Sequence, residues 1–114
     1  MRIGVDVMGG DHAPHPILEG ALSAIQHLPD EDTVVLFGDQ SIIEQGVADS
    51  GVDASRVEIV GTTEEISMDE SPVDAVRQKQ DSSLVQLCKW GSKKADNPID
   101  AVISAGNTGA FVAA

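Results

Sequence analysis

The sequence predicts an α/β domain built on a mainly parallel sheet with helices on both faces. Short apolar segments of strand length alternate along the chain with longer segments whose apolar residues recur at helical spacing. The strand segments are apolar without a clean polar alternation, which is typical of strands buried on both faces. The 114 residues, 41% of them hydrophobic, suffice for one domain with a single core.

The first strand is predicted over residues 3–7, a run rich in valine and isoleucine that enters a glycine turn at residues 8–11. Two prolines, Pro14 and Pro16, delay the helix that follows. Pro29 and the acidic residues after it end this helix. Its apolar face is formed by Ile17, Leu18, Ala21, Leu22, Ala24, Ile25 and Leu28.

The second strand and helix follow the same pattern. Residues 33–37 form the strand, which a glycine closes. The helix is predicted to begin at a capping box, in which Ser41 caps the first turn and Glu44 lies three residues later. It ends near Gly51, and the third strand follows over residues 57–60.

A polar, less regular passage over residues 61–72 precedes the last part of the chain. Residues 101–103 form the fourth predicted strand, and the glycine-rich residues 106–109 open a final helix. After residues 61–72 and before the fourth strand, apolar residues recur at helical spacing, and Gly91 ends this stretch. The apolar residues are Val73, Val76, Leu84, Val85, Leu87 and Cys88. In this pattern Cys88 is a core residue rather than a nucleophile.

The composition excludes several classes of function. A net charge of −12 argues against a nucleic acid as the main partner. No apolar run approaches the roughly 18 residues needed to cross a bilayer, and the single cysteine rules out an internal disulfide. The chain is therefore expected in the cytoplasm. Five basic residues form either a patch for an anionic substrate or acidic carrier protein, or a solvated helix face: Arg77, Lys79, Lys89, Lys93 and Lys94.

The loop after the first strand is the first candidate site. Ligands of open α/β sheets bind beyond the carboxyl ends of the strands. Here the paired glycines Gly9 and Gly10 let the backbone approach a ligand closely, between the carboxylates of Asp6 and Asp11. The loop lacks the glycine spacing of dinucleotide sites, and the sequence has no Walker lysine motif. A plain turn explains these glycines equally well.

The loop after the fourth strand is the second candidate. Its small residues, including Gly106 and Gly109, leave backbone N–H groups open at a helix N-terminus, which favours an anion. Ser104, Asn107 and Thr108 add side-chain donors that suit phosphate or an oxyanion. The alternative is that Asn107 or Thr108 only caps the helix.

Two further clusters are weaker candidates. Lys79 and Ser83 offer a charge and a hydroxyl near a phosphate, whereas Ser82 or Asp81 would serve only as a helix cap. The histidines at positions 12 and 15 are interrupted by prolines and favour an exposed loop, so no metal site is expected.

Taken together, these segments resemble one family. Residues 3–11, Ile-Gly-Val-Asp-Val-Met-Gly-Gly-Asp, are similar to its opening motif, although Val7 stands where the family usually has alanine. Residues 104–110, Ser-Ala-Gly-Asn-Thr-Gly-Ala, match its most distinctive loop. The family is that of the acyl-acyl carrier protein:phosphate acyltransferases, usually called PlsX. Shorter motifs lie in the family's order between these two: Phe37-Gly38-Asp39, Ile66-Ser67-Met68, Ser71-Pro72 and Arg77-x-Lys79-x-x-Ser82-Ser83.

The resemblance implies a Rossmann-like fold of the isocitrate and isopropylmalate dehydrogenase type, with residues 1–114 as one N-terminal domain of a longer chain. It also implies a cytoplasmic homodimer that touches the membrane peripherally. The implied reaction transfers a fatty acyl group from acyl carrier protein to inorganic phosphate and needs no cofactor.

In the implied mechanism a phosphate oxygen attacks the thioester carbonyl and the pantetheine thiol leaves. As a hypothesis, three residues act in catalysis: Asn107, Thr108 and Lys79. Eight residues bind substrate: Asp6, Gly9, Gly10, Asp11, Ser83, Ser104, Gly106 and Gly109. Two other functions stay open, namely a non-catalytic phosphate-binding or folding module and a nucleotide-linked dehydrogenase or phosphotransferase. The missing nucleotide motifs count against the last.

Overall fold

A computed structural model describes residues 1–92 and 98–114, so that two of the five clustered lysines and arginines, Lys93 and Lys94, lie outside the described residues. The predicted parallel sheet is confirmed. Its strands pair in parallel in the order β3-β2-β1-β4. The strands are β1 (Arg2–Asp6), β2 (Thr33–Gly38), β3 (Val57–Gly61) and β4 (Ala101–Ile103).

In the described residues, five α-helices accompany these strands. The stretch of helical spacing predicted over residues 73–91 forms two separate helices. Ser82 caps the second of these two by accepting a hydrogen bond from the Val85 amide at 3.2 Å. The helices are α1 (His15–Ile25), α2 (Gln40–Ser50), α3 (Pro72–Gln78), α4 (Ser83–Gly91) and α5 (Thr108–Ala113). Within the described ranges, no helix is long and apolar enough to cross a membrane.

The predicted capping box of α2 is wrong. Asp39, not Ser41, is the N-cap, and its carboxylate accepts a hydrogen bond from the Ile42 amide at 3.1 Å. The backbone is still extended at Asp39, directly after β2, so the helix begins there. Glu44 instead accepts a hydrogen bond from the Gln40 side chain at 2.8 Å.

Alternate residues of each strand face opposite sides of the sheet and build two separate apolar layers. On one face Val34 and Leu36 pack with Leu18 and Leu22 of α1, together with α2. On the other face Val35 and Phe37 of β2 pack against α4. The prediction of helices on both faces is therefore confirmed.

A third apolar cluster lies beside the carboxyl edge of the sheet. It joins α3, α4 and α5 through Ala75, Leu84 and Ala110, and Ile66 packs into it from the passage before α3. This cluster anchors the irregular segment 65–70 and the start of α5 next to each other. Both segments border the candidate site.

Candidate functional site

The strand order places a topological switch point between β1 and β4. The chain proceeds outward from β1 to β2 and β3, and then returns to the opposite side of β1 as β4. In open α/β sheets the loops that follow the two strands at such a point diverge and leave a crevice where ligands bind. The two loops predicted from sequence are the loops that follow β1 and β4.

These two loops are in backbone contact. A Cβ atom at Gly9 would lie 3.0 Å from the Gly106 nitrogen and would also collide with the Asp6 carboxylate. Gly10 has a φ of 108°, and a Cβ there would lie 3.2 Å from the Ala105 oxygen. The glycines are therefore required by a close approach of two backbones, which a plain turn does not explain.

Asp6 ties three elements together from the end of β1. Its side chain is only 1% exposed. The carboxylate accepts hydrogen bonds from the Ser83 hydroxyl at the start of α4, from the Ser104 hydroxyl at 2.9 Å and from the Met8 amide at 3.1 Å. Because both hydroxyls donate to Asp6, neither can donate to a phosphate bound at the same time.

Ser104 also shapes the loop that follows it. Its hydroxyl oxygen accepts a hydrogen bond from the Gly106 amide at 3.1 Å. Thr108 and Gly109, in contrast, are exposed. The predicted anion donors thus divide into a partly buried set, Ser104 and Gly106, that organises the loop, and an exposed pair, Thr108 and Gly109, at the start of α5.

Asn107 caps α5 and also fastens a neighbouring segment. Its side-chain oxygen accepts a hydrogen bond from the Ala110 amide at 3.1 Å, which confirms the capping role considered from sequence. Its amide nitrogen donates to the carbonyl oxygens of Ser67 and Glu70, at 3.2 and 2.9 Å. The side chain is 5% exposed, so it holds segment 65–70 against the loop after β4.

Lys79 reaches the same segment from the end of α3. Its ammonium group lies 2.6 Å from Glu70 Oε1 and donates to the Glu65 carbonyl oxygen at 2.7 Å. Glu70 also accepts a hydrogen bond from the Ser67 amide at 2.6 Å. Glu70, which was not predicted from the sequence, therefore contacts Lys79 through its carboxylate and Asn107 through its carbonyl oxygen.

Replacing Glu70 by glutamine is expected to change how stability depends on pH. Hydrogen bonds from Lys79 and from the Ser67 amide hold the pKa of the Glu70 carboxyl below its ordinary value of 4.5. A lowered folded-state pKa stabilises the fold above the ordinary pKa, and this is lost as pH falls through the folded-state pKa. Below pH 4.5 the melting temperature should fall more steeply for the wild type than for Glu70→Gln.

The difference should amount to a few degrees at most, because an exposed ion pair contributes little stability. Glu65→Gln is the matched control, since it removes the same charge from an exposed neighbour. It should keep the wild-type slope of melting temperature against pH. Equal slopes for all three proteins would mean that Glu70 does not hold its partners as described.

A slot of about 290 Å³ opens between the loop after β1 and segment 65–70. Gly10 and Asp11 line it, so it adjoins the contact between the two glycine loops. Its other lining residues are Met8, Ala13, Pro14, Glu65, Ile66, Ser67, Met68 and Asp69. A larger groove of about 990 Å³ lies between α1 and α2, but none of the predicted site residues in the described part of the chain lines it.

The remaining candidates are two histidines and one cysteine. His12 and His15 are exposed. Among residues 1–92 and 98–114, no group of three or more His, Cys, Asp or Glu side chains could hold a metal ion. Burial, and secondarily the charge of Asp6, raises the pKa of the Cys88 thiol, which keeps it protonated at neutral pH.

Comparison with known proteins gives consistent matches over the whole chain. The sequence profile of the family described as "Fatty acid synthesis protein" matches residues 1–114. Proteins named phosphate acyltransferase are similar to 99–100% of the chain: identity is 49% for Caldicellulosiruptor saccharolyticus, 46% for Brevibacillus brevis and 45% for Streptococcus suis. The alignments cover 31–33% of those relatives, so the chain spans about a third of their length.

Proposed function

The chain belongs to the fatty acid synthesis protein family, and we propose that it serves in transferring a fatty acyl group from acyl carrier protein to inorganic phosphate. The product is an acyl phosphate for phospholipid synthesis. The names of the relatives support the reaction class. The observation that carries the proposal is the contact between Gly9 and Gly106, which joins the two predicted loops at the switch point of the sheet.

The chemistry requires positioning more than a reactive side chain. A phosphate oxygen attacks the thioester carbonyl, the new C–O bond forms, and the C–S bond breaks as the thiolate leaves and takes up a proton. Two demands follow: phosphate must be held beside the carbonyl, and the oxyanion that forms on that carbonyl must be stabilised. Backbone N–H groups and hydroxyls meet both demands without a covalent enzyme intermediate.

The roles of the site residues follow from their contacts. In this proposal Thr108 and the backbone at Gly109, which are both exposed, contact the anion. Asn107 and Lys79, whose polar groups already bind segment 65–70, act by holding that segment in position. Asp6 fixes the loops by accepting hydrogen bonds from the hydroxyls of Ser83 and Ser104. In the proposed substrate-binding set these three residues act by holding the loops in position, and the other members shape the wall beside the substrate: Gly9, Gly10, Asp11 and Gly106.

The resemblance to PlsX supports several wider proposals. They are a fold of the isocitrate dehydrogenase type in which residues 1–114 form one domain, a homodimer, and a cytoplasmic protein with peripheral membrane contact. Acyl carrier protein and inorganic phosphate are the partners, and no cofactor takes part. Sedimentation of the full-length protein with and without anionic vesicles tests the dimer and the membrane contact.

The reaction is tested by trapping the product. The full-length protein, incubated with acyl-acyl carrier protein, phosphate and hydroxylamine, should give acyl hydroxamate only when phosphate is present. Phosphate binding without hydroxamate would instead support a non-catalytic module.

Asn107→Ala should lower kcat/KM in this assay by roughly 100-fold, because small displacements of positioning groups have effects of that size. It removes the cap of α5 and both contacts with segment 65–70. Gln45→Ala, on the exposed surface of α2, is the control and should keep wild-type turnover. An Asn107→Ala protein with wild-type kcat/KM would contradict the assignment.

A further inference from the structure

Asp81, in the turn between α3 and α4, binds a residue that precedes it by 18 positions in the chain. Its carboxylate oxygen Oδ2 accepts hydrogen bonds from the Thr63 amide at 3.0 Å and from the Thr63 hydroxyl at 2.6 Å. The N-cap of α4 is the next residue, Ser82. The Asp81 carboxylate therefore joins two segments of the chain, whereas the sequence suggested only a helix cap.

Backbone hydrogen bonds reinforce the contact between these two segments. The Asp81 carbonyl oxygen accepts hydrogen bonds from the amides of Thr63 and Glu64, both at 3.2 Å. In return, the Asp81 amide donates to the Glu64 carboxylate at 3.2 Å. Glu64 and Ser82 also form a parallel β-bridge. We call these four residues the clasp.

The clasp holds the beginning of segment 65–70. Directly after it, the Glu65 carbonyl oxygen accepts a hydrogen bond from the Lys79 ammonium group at 2.7 Å. Asn107 holds the far end of the segment, where its side chain donates to the Glu70 carbonyl oxygen at 2.9 Å. The segment is therefore attached at both ends, and its position relative to the loop after β4 depends on both attachments.

The turn that contains Asp81 also contacts the two loops of the candidate site. Ser83, which follows the clasp residue Ser82, donates a hydrogen bond to the buried carboxylate of Asp6. Asp6 in turn accepts a hydrogen bond from Ser104, in the loop after β4, at 2.9 Å. One short turn thus connects segment 65–70 with the loops after β1 and β4.

We propose that Asp81 is a positioning residue for acyl transfer, which acts through Thr63 on segment 65–70 and contacts neither substrate. The inference rests on the proposed function, since it assigns a role within that reaction. Loss of the Asp81 carboxylate releases the Thr63 side chain, while the attachment at Asn107 stays in place. The segment then shifts relative to the two loops, and small displacements of positioning groups slow a reaction between two bound substrates.

The test measures acyl hydroxamate formation by the full-length protein, at a temperature at which every variant is folded. Asp81→Ala should lower kcat/KM about tenfold, because it removes the acceptor of both Thr63 hydrogen bonds. Asp81→Asn should stay within about twofold of the wild type, because an amide oxygen also offers two lone pairs to these donors. Asp30→Ala is the control, since it removes an exposed carboxylate from the loop before β2, and it should keep wild-type kcat/KM.

Thr63→Val removes the hydroxyl at nearly constant volume and tests the same contact from its other side. Added to Asp81→Ala, it should lower kcat/KM no further, because changes within one hydrogen-bond network are not additive. Independent effects of the two changes, which multiply in the double variant, would overturn the inference. An Asp81→Ala protein with wild-type kcat/KM would overturn it as well, and so would an Asp81→Asn protein that is as slow as Asp81→Ala.

Hydrogen exchange separates this inference from the proposed reaction. Backbone amides of residues 62–70 should exchange faster in Asp81→Ala than in the wild type and in Asp30→Ala, because the start of the segment opens more often. Equal exchange in all three proteins would reject the role of Asp81 whether or not the protein turns over. An absence of acyl hydroxamate from the wild type would reject the proposed reaction, whereas exchange over residues 62–70 reports on the clasp alone.

Discussion

Asp6→Ala should abolish detectable acyl phosphate formation and lower the free energy of unfolding by about 3 kcal/mol. The change removes a buried acceptor shared by Ser83, Ser104 and the Met8 amide. These donors belong to three segments and would be left without their partner at a position where the acceptor is only 1% exposed. The start of α4 and the loops after β1 and β4 would then lose the group that fixes their relative positions.

Chemical denaturation and the hydroxamate assay measure the two effects. Asp49→Ala is the matched control, because Asp49 is exposed and accepts a surface hydrogen bond from Gln45. It should change stability by less than about 0.5 kcal/mol and leave turnover intact. If Asp6→Ala lowered the free energy of unfolding by less than about 1 kcal/mol and kept turnover, Asp6 would not be the residue that holds these three segments together.

Gly9→Ala is the second large effect. A Cβ at this position collides with the Asp6 carboxylate and lies 3.0 Å from the backbone of Gly106, which cannot yield as a flexible side chain can. Forcing the loops apart should destabilise the protein by about 2 kcal/mol. It should lower kcat/KM roughly 100-fold, because the displaced loop carries the groups that we propose to position the anion.

Gly20→Ala provides the same chemical change in open surroundings. No atom lies within 4 Å of a Cβ at Gly20, in the middle of α1. There the alanine should stabilise the protein by up to about 1 kcal/mol through its helix propensity, with normal turnover. If the two alanine variants had equal activity, the close contact of the loops would have no part in catalysis.

The sheet could be predicted because its strands are short, continuous apolar runs. The bounds of β4 were predicted at residues 101–103, and β1 differs by one position at each end. Local capping was harder to predict. Asp39 and Ser41 are both good caps, and only the direction in which the chain leaves β2 selects Asp39. The choice between these two caps depends on tertiary structure, which the spacing of residue types along the chain does not specify.

The position of the two candidate loops at one edge of the sheet was predicted, but the contacts of their side chains were predicted less well. Both loops, at Gly9 and at Gly106, follow a predicted strand, and ligands bind beyond the carboxyl ends of strands, which predicted that the two loops lie at the same edge of the sheet. The hydrogen bonds of Asp6 join residues 77 and 98 positions apart in the chain, and no local pattern encodes them. Glu70 was missed for the same reason, since its partner Asn107 is distant in sequence.

The family was predictable because its motifs are specific. Residues 104–110 and residues 3–11 carried the resemblance to PlsX, and the family match over residues 1–114 confirms it. The exposed or buried state of each motif residue was not predictable from the motif. Asn107 illustrates this, because the same side chain could have faced a ligand, whereas it caps α5 and holds segment 65–70.

The most direct measurement is a crystal structure of the full-length protein with bound phosphate. We predict difference density for phosphate within hydrogen-bond distance of the Thr108 hydroxyl and the backbone amides of residues 108–109. Phosphate bound elsewhere, such as in the groove between α1 and α2, with the loops after β1 and β4 empty, would contradict the account.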